Sequence, residues 1–100
     1  MKNSTYHVFF NTLANPLRIG IILSLKAREK SVTELTKELK IEQSKISHAL
    51  ALLRCCNVVK AKQKGKKRMY FLNKDTIIPM LKLIEKHAEA HCKTCLACKK

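Results

Sequence analysis

The stretch "HAEAHCKTCLACKK" brings His87, His91, Cys92, Cys95 and Cys98 into the last fourteen residues. Imidazole nitrogen and thiolate sulfur together suit zinc or another borderline-soft transition metal in four-coordinate tetrahedral geometry. At about 100° per residue, His91, Cys95 and Cys98 fall within roughly 80° of His87 around a helix, and Cys92 lies off to the side. Ile77, Met80 and Ile84 share that sector. A helix continued to the final residues would therefore carry one stripe, apolar in its first half and rich in metal ligands in its second. If the helix frays after Ala90, "CKTCLAC" can instead wrap an ion with three thiolates. The Cys-x-x-Cys-x-x-Cys spacing also occurs around iron–sulfur clusters, which need four ligands, and a cluster ranks below zinc here. The fourth ligand would come from a His, from Cys55 or Cys56, or from a second copy of the chain. A thiol–disulfide switch and an inert tail stand behind metal ligation as alternatives.

A second set of residues carries hydrogen-bonding chemistry. Gln43, Ser44, Lys45, Ser47, His48 and Arg54 share the side of a helical pattern opposite Ile46, Ala49, Leu50 and Leu53. The apolar set repeats at i, i+3, i+4 and i+7. Such donors and acceptors can read base edges, and the two cations can reach bases or phosphates. Downstream, Lys62, Lys64, Lys66, Lys67 and Arg68 crowd around Gly65, a grouping suited to neutralising phosphates.

The composition agrees. The 100 residues hold 21 Lys and Arg against 7 Asp and Glu, a formal charge of +14. That excess attracts polyanions, nucleic acid before an anionic membrane surface. No apolar run approaches the ~18 residues of a membrane span, so no membrane partner is expected. Met1 to Thr5 lead into mixed polar sequence without a signal peptide, and the five cysteines are an odd count. Together these predict a reducing, cytoplasmic setting. No nucleophile–base pair or phosphate loop is present and Gly65 stands alone in its turn, so an enzyme is not expected.

The elements that must position these groups follow from periodicity. Val8, Phe9, Phe10 and Leu13 form a short first helix. Asn15-Pro16 starts a second, with Leu17, Ile21, Ile22 and Leu25 on one side, running to about Arg28. Ser31 and Glu34 make a capping box for a two-turn helix with Val32, Leu35 and Leu39 inward. A tight turn at "KIE" leads to the helix from Gln43, which Asn57 ends. Val58-Val59 and Met69 to Leu72 are β-type runs around a basic turn, hence a β-hairpin. A last helix spans 75–91, kinked at Pro79 or started near Ile78. This makes a single domain over residues 1–100, mainly α with a small β-hairpin: a winged helix-turn-helix, with 92–100 as a Cys-rich tail.

"NPLRIGIILSL" followed by "SVTELTKELKIEQSKISHALALLRCCNVVKAKQKGKKRMYFL" resembles the ArsR/SmtB family of bacterial and archaeal repressors. The carriers are the N-P-L-R helix start, the V-x-E-L helix, the S-x-I-S-x-x-L-x-x-L recognition helix and the K-K-R-x-Y strand. The resemblance runs from about Phe9 to Leu72 and more loosely through the last helix. It implies a homodimer built on the first and last helices, and a repressor that leaves a double-stranded operator when an effector binds. Lys40 stands where the family's turn has Gly, and Glu42 where Ser caps the recognition helix. "SVTELTKEL" lacks the Cys-x-Cys of the relatives that bind arsenic, cadmium or lead. The Asp, His, His, Glu set of the zinc-binding relatives does not fit either, because Thr76 and Ala90 occupy its positions relative to His87.

The expected function is thus a sequence-specific repressor, de-repressed by a metal ion or by thiol oxidation at the C-terminal cluster. Ligation there would alter the dimer seam and so the angle between the two recognition helices. Cys56 replaces a small buried residue, and packing is its default role. Cys55 should be more exposed, and a metal bridging it to the tail is the sharper alternative. His48 is expected to face DNA, and His7 to lie on the surface. The rival readings are a constitutive basic architectural protein and a module whose cysteines merely hold the dimer together.

Overall fold

Each helix begins or ends where a side chain or a left-handed residue deals with backbone groups that the helix leaves unpaired. In the structure, a computed structural model that describes residues 3–91, α1 is Asn3–Leu13, α2 Pro16–Ala27, α3 Val32–Leu39 and α4 Gln43–Cys55. β1 (Val59–Lys64), β2 (Lys67–Leu72) and α5 (Ile77–His91) follow. Asn15 Oδ1 accepts from Leu17 N at 3.0 Å and Arg18 N at 3.2 Å, with Pro16 opening α2. Ser31 Oγ accepts from Glu34 N, and Glu34 Oε1 from Ser31 N, which completes the capping box on α3.

The turn between α3 and α4 is made by Lys40 in the left-handed region, at φ 56°. Glu42 caps α4 with no side-chain hydrogen bond. At the far end Asn57 is again left-handed. Asn57 N donates to Arg54 O and Val58 N to Leu53 O, both at 3.0 Å. These are the two bonds of a Schellman motif, which Asn tolerates better than most residues.

The core lies between α2, α3, α4 and the inner face of the hairpin. Ile21, Leu35, Ile46, Leu50, Leu53, Val58 and Val59 are fully buried, with Ile22, Leu25, Ala49, Tyr70, Leu72 and Ile77 beside them. β1 and β2 pair antiparallel from Val59↔Leu72 to Lys64↔Lys67. Only Gly65 and Lys66 remain as the loop, and Gly65 takes φ 65°, as a II′ turn requires of its first residue. The strands thus extend well beyond the apolar runs that announced them, because exposed lysines leave the backbone ladder free to continue.

α5 begins at Ile77, two residues after the expected 75. Asn73 holds 73–76 in a turn: its Oδ1 accepts from Asp75 N and its backbone carbonyl from Ile77 N, both at 3.0 Å. Pro79 therefore falls in the first helical turn, where the missing N–H has no intrahelical partner to lose. Neither a kink at Pro79 nor a start at Ile78 is needed.

α1 buries no residue fully and α5 buries only Ile77. Both nevertheless lean on α2, and Lys26 of α2 pairs with Glu85 of α5. Phe10, Leu13, Ile22, Ile77, Met80 and Ile84 line the resulting groove of about 440 Å³, whose surface is almost wholly apolar.

Candidate nucleic-acid interface

The inward apolar stripe of α4 fixes which way its polar residues look. Ile46, Ala49, Leu50 and Leu53 are buried, while Gln43, Ser44, Lys45, Ser47, His48 and Arg54 are all exposed. The first five lie within six consecutive positions at the N-terminal end of α4, and Arg54 lies near its C-terminal end. Ala51 is exposed between the two groups, and its small side chain leaves that part of the helix open to close approach by a partner.

On the hairpin, Lys62, Lys64, Lys66, Lys67 and Arg68 are all exposed. Cross-strand register puts Lys60, Lys62 and Lys64 on one face with Phe71, Met69 and Lys67 opposite them. The other face carries Val59, Tyr70 and Leu72 into the core. The hairpin is therefore cationic on one face, while the other is apolar at its core end and carries Gln63 and Arg68 towards the turn.

Three residues of this surface escaped the sequence reading. Lys60 continues the alternation of Lys62 and Lys64 and lines a cleft with Arg54 and Cys55 at the end of α4. Its spacing could have revealed it. Arg18 adjoins Ser44, Lys45 and His48 while its Nη1 donates to Thr12 O at 3.1 Å, closing the end of α1. That role sits behind a helix-start motif and has no sequence pattern of its own. Glu29 accepts from Lys62 at 3.0 Å and Lys64 at 3.4 Å. The Lys62 hydrogen bond, above all, holds its carboxyl below the ordinary range.

Two other acids are shifted the same way. Ser31 N and then Arg28 lower Glu34, and Arg28 Nη2 lies 2.8 Å from its carboxylate. Lys30 and then Ser24 lower Glu38. Lys30 is buried and donates to Ser24 Oγ at 2.7 Å as well as to Glu38. It ties α2 and α3 to the base of the hairpin.

The ligand-rich stripe is only partly within the described residues. His87 and His91 stand one turn apart on α5, exposed, with ring centroids 4.7 Å apart. The stripe's upstream members Ile77, Met80 and Ile84 do line the apolar groove. Cys92, Cys95 and Cys98 lie outside the described residues. Among the described residues no three His, Cys, Asp or Glu side chains come together to hold a metal ion. The two imidazoles can supply half of a tetrahedral set. Cys55 is exposed, in a cleft that no α5 residue lines. Cys56 is half-buried and its Sγ donates to Thr12 Oγ1 at 3.7 Å, a packing position. His7 is exposed and accepts from Asn11 Nδ2 at 3.0 Å. No single helix among the described residues is long and apolar enough to cross a membrane.

Comparison with known proteins fits this geometry. The family model described as "Bacterial regulatory protein, arsR family" matches residues 15–61, from the α2 cap into β1. The HTH-type transcriptional regulator Rv0081 of Mycobacterium tuberculosis is 37% identical over 79 residues, 78% of this chain and 69% of that protein. Its crystal structure superposes with a TM-score of 0.80, at 33% identity over 87% of this chain and 88% of that one. The "Transcriptional repressor SmtB homolog" of Synechocystis is 28% identical over 81% of this chain. The chain spans 61% of that relative's length. The winged helix-turn-helix DNA-binding domain of Mb0332 from Mycobacterium bovis, described as homodimeric, shares the fold with a TM-score of 0.81 at 20% identity, covering 90% of this chain and 83% of that one. Rv0081 and the Synechocystis protein are transcriptional regulators rather than enzymes. With a polar-faced recognition helix, a basic wing and these matches, the chain belongs to the ArsR family of winged helix-turn-helix transcriptional regulators.

Proposed function

We propose that the chain is a DNA-binding repressor that acts as a homodimer in the cytoplasm. One observation carries the reading: every candidate base-reading side chain of α4 points away from the core, beside a hairpin whose outward face is cationic. α4 enters the major groove, where Gln43, Ser44, Ser47 and His48 meet base edges and Lys45 and Arg54 meet bases or phosphates. Lys62, Lys64, Lys66, Lys67 and Arg68 grip the backbone beside it. A second copy covers the apolar groove between α1, α2 and α5, since an apolar surface of this kind is a normal site of association. The pairing sets two recognition helices about one DNA turn apart.

De-repression belongs to the C-terminal cluster. His87 and His91 extend the groove-lining stripe of α5, so an ion held by them and by Cys92, Cys95 or Cys98 would bear on the dimer seam. Oxidation of the same thiols is the alternative input. An effector can shift affinity only by its preference for one state, typically about 1–3 kcal/mol. A constitutive architectural protein remains the second reading, favoured by the +14 charge, which needs no effector to bind DNA.

The test is duplex binding by reduced protein, with and without Zn(II) and then after oxidation, beside a Cys92/Cys95/Cys98→Ser triple variant. A sensor loses affinity by about 5–150-fold under one treatment and the triple variant does not. Equal affinity throughout leaves the architectural reading, and no duplex binding at low salt removes both.

A further inference from the structure

Lys30 bonds to Tyr70 through both backbone groups, Lys30 N to Tyr70 O at 3.0 Å and Tyr70 N to Lys30 O at 2.8 Å. The chain at this point runs as a single bridged pair along the open edge of β2. Alternation sends the Lys30 side chain toward the core and Glu29 to the outward, cationic face. From there Glu29 reaches across β2 to both Lys62 and Lys64 of β1. The Lys62 ammonium lies 5.4 Å from the centroid of the Phe71 ring on the same face. Glu29 is the shielded partner, with 28% of its side chain exposed against 49% for Lys62 and 66% for Lys64. The acid is held in place by the backbone bridge of its neighbour Lys30, and the long lysines come to it.

A carboxylate between two ammonium groups takes the place that a DNA phosphate would take, with the same charge sign and acceptor chemistry. Lys62 and Lys64 must leave Glu29, wholly or in part, before they can neutralise phosphates. Among the described residues Lys66, Lys67 and Arg68 make no such pair. We propose that Glu29 attenuates duplex binding: it is an internal acceptor that competes with DNA phosphate for Lys62 and Lys64 and holds the wing's affinity below what its charge alone would give. The inference rests on the DNA-binding reading above.

The experiment is fluorescence anisotropy of a random 30-base-pair duplex against salt concentration, with thermal melts to check folding. Glu29→Gln keeps the shape of the side chain and removes its charge. It is expected to bind about two- to tenfold tighter at low salt, from the loss of two exposed ion pairs per copy. Its affinity should also fall more steeply with salt, because more lysines now release counterions. In a Lys62→Gln/Lys64→Gln background, Glu29→Gln should give no gain. A second comparison leaves Glu29 intact: Lys62→Gln/Lys64→Gln should cost less affinity than Lys66→Gln/Lys67→Gln. No gain from Glu29→Gln, the same gain without the two lysines, or an equal cost for both lysine pairs would each overturn the attenuator. If the unaltered protein fails to bind the duplex even at low salt, the DNA-binding reading falls with it. If it binds and ignores Glu29, only the attenuator falls.

Discussion

Lys40 shows what a single residue concedes in this chain. It takes φ 56° in the turn of the helix-turn-helix, a conformation that costs a side-chain-bearing residue about 1 kcal/mol relative to Gly. Lys40→Gly should therefore stabilise the protein by about 1 kcal/mol and raise the melting midpoint by roughly 4–8 °C. An unchanged or lower midpoint would show that the lysine side chain contributes more than its backbone costs. Glu29, Glu34 and Glu38 give a pH dependence with a definite sign. Each is held below the ordinary carboxylate range by cations or backbone donors. Their stabilisation is complete above the range of the unfolded chain and is lost as pH falls through the lower values of the folded state. Acid titration of the melting midpoint should show that decline, and replacing the three by Gln should flatten it. The caps at Asn15 and Ser31 and the left-handed Asn57 were readable because each rests on bonds within a few residues. The partners of Glu29 were not, because they lie on a strand more than thirty positions away and only the fold brings them near.

At the scale of elements, the order of helices and hairpin follows from periodicity, and the errors fall at ends. The apolar runs that announce β1 and β2 are shorter than the strands, since the register of an exposed ladder is fixed by its inward face and its turn. α5 starts late because Asn73 uses its side chain and carbonyl to hold the preceding turn. Gly20 offers a test of element packing. It lies inside α2, where a Cβ would stand 3.8 Å from Leu39 Cδ2, an ordinary contact with α3. Gly20→Ala should gain about 0.5–1 kcal/mol from helix propensity alone. A loss in a denaturant titration would mean that α2 and α3 are closer than this geometry allows.

For the molecule as a whole, net charge and the uncovered groove act in opposite directions on association. A chain of +14 repels itself, yet it presents Phe10, Leu23 and Ile84 to solvent at 60%, 54% and 53% exposure. The second copy proposed to cover the groove would take that apolar surface out of water, against the repulsion between two chains of +14. Ile84→Glu puts a charge into the groove while touching little of the core, so it should convert a dimer to a folded monomer in sedimentation. A variant that stays dimeric would move the interface elsewhere. The α5 stripe of Ile77, Met80 and Ile84 was legible from its spacing, but the groove was not, because its other walls on α1 and α2 come beside α5 only in the fold.

The most direct test of DNA binding by α4 and its wing is the slope of log affinity against log salt for a duplex, compared between the unaltered chain and a Lys66/Lys67/Arg68→Gln variant. Steep salt dependence is expected, with the slope reduced in the variant by about 1 for each phosphate contact removed. Identical slopes, or no association in low salt, would contradict it.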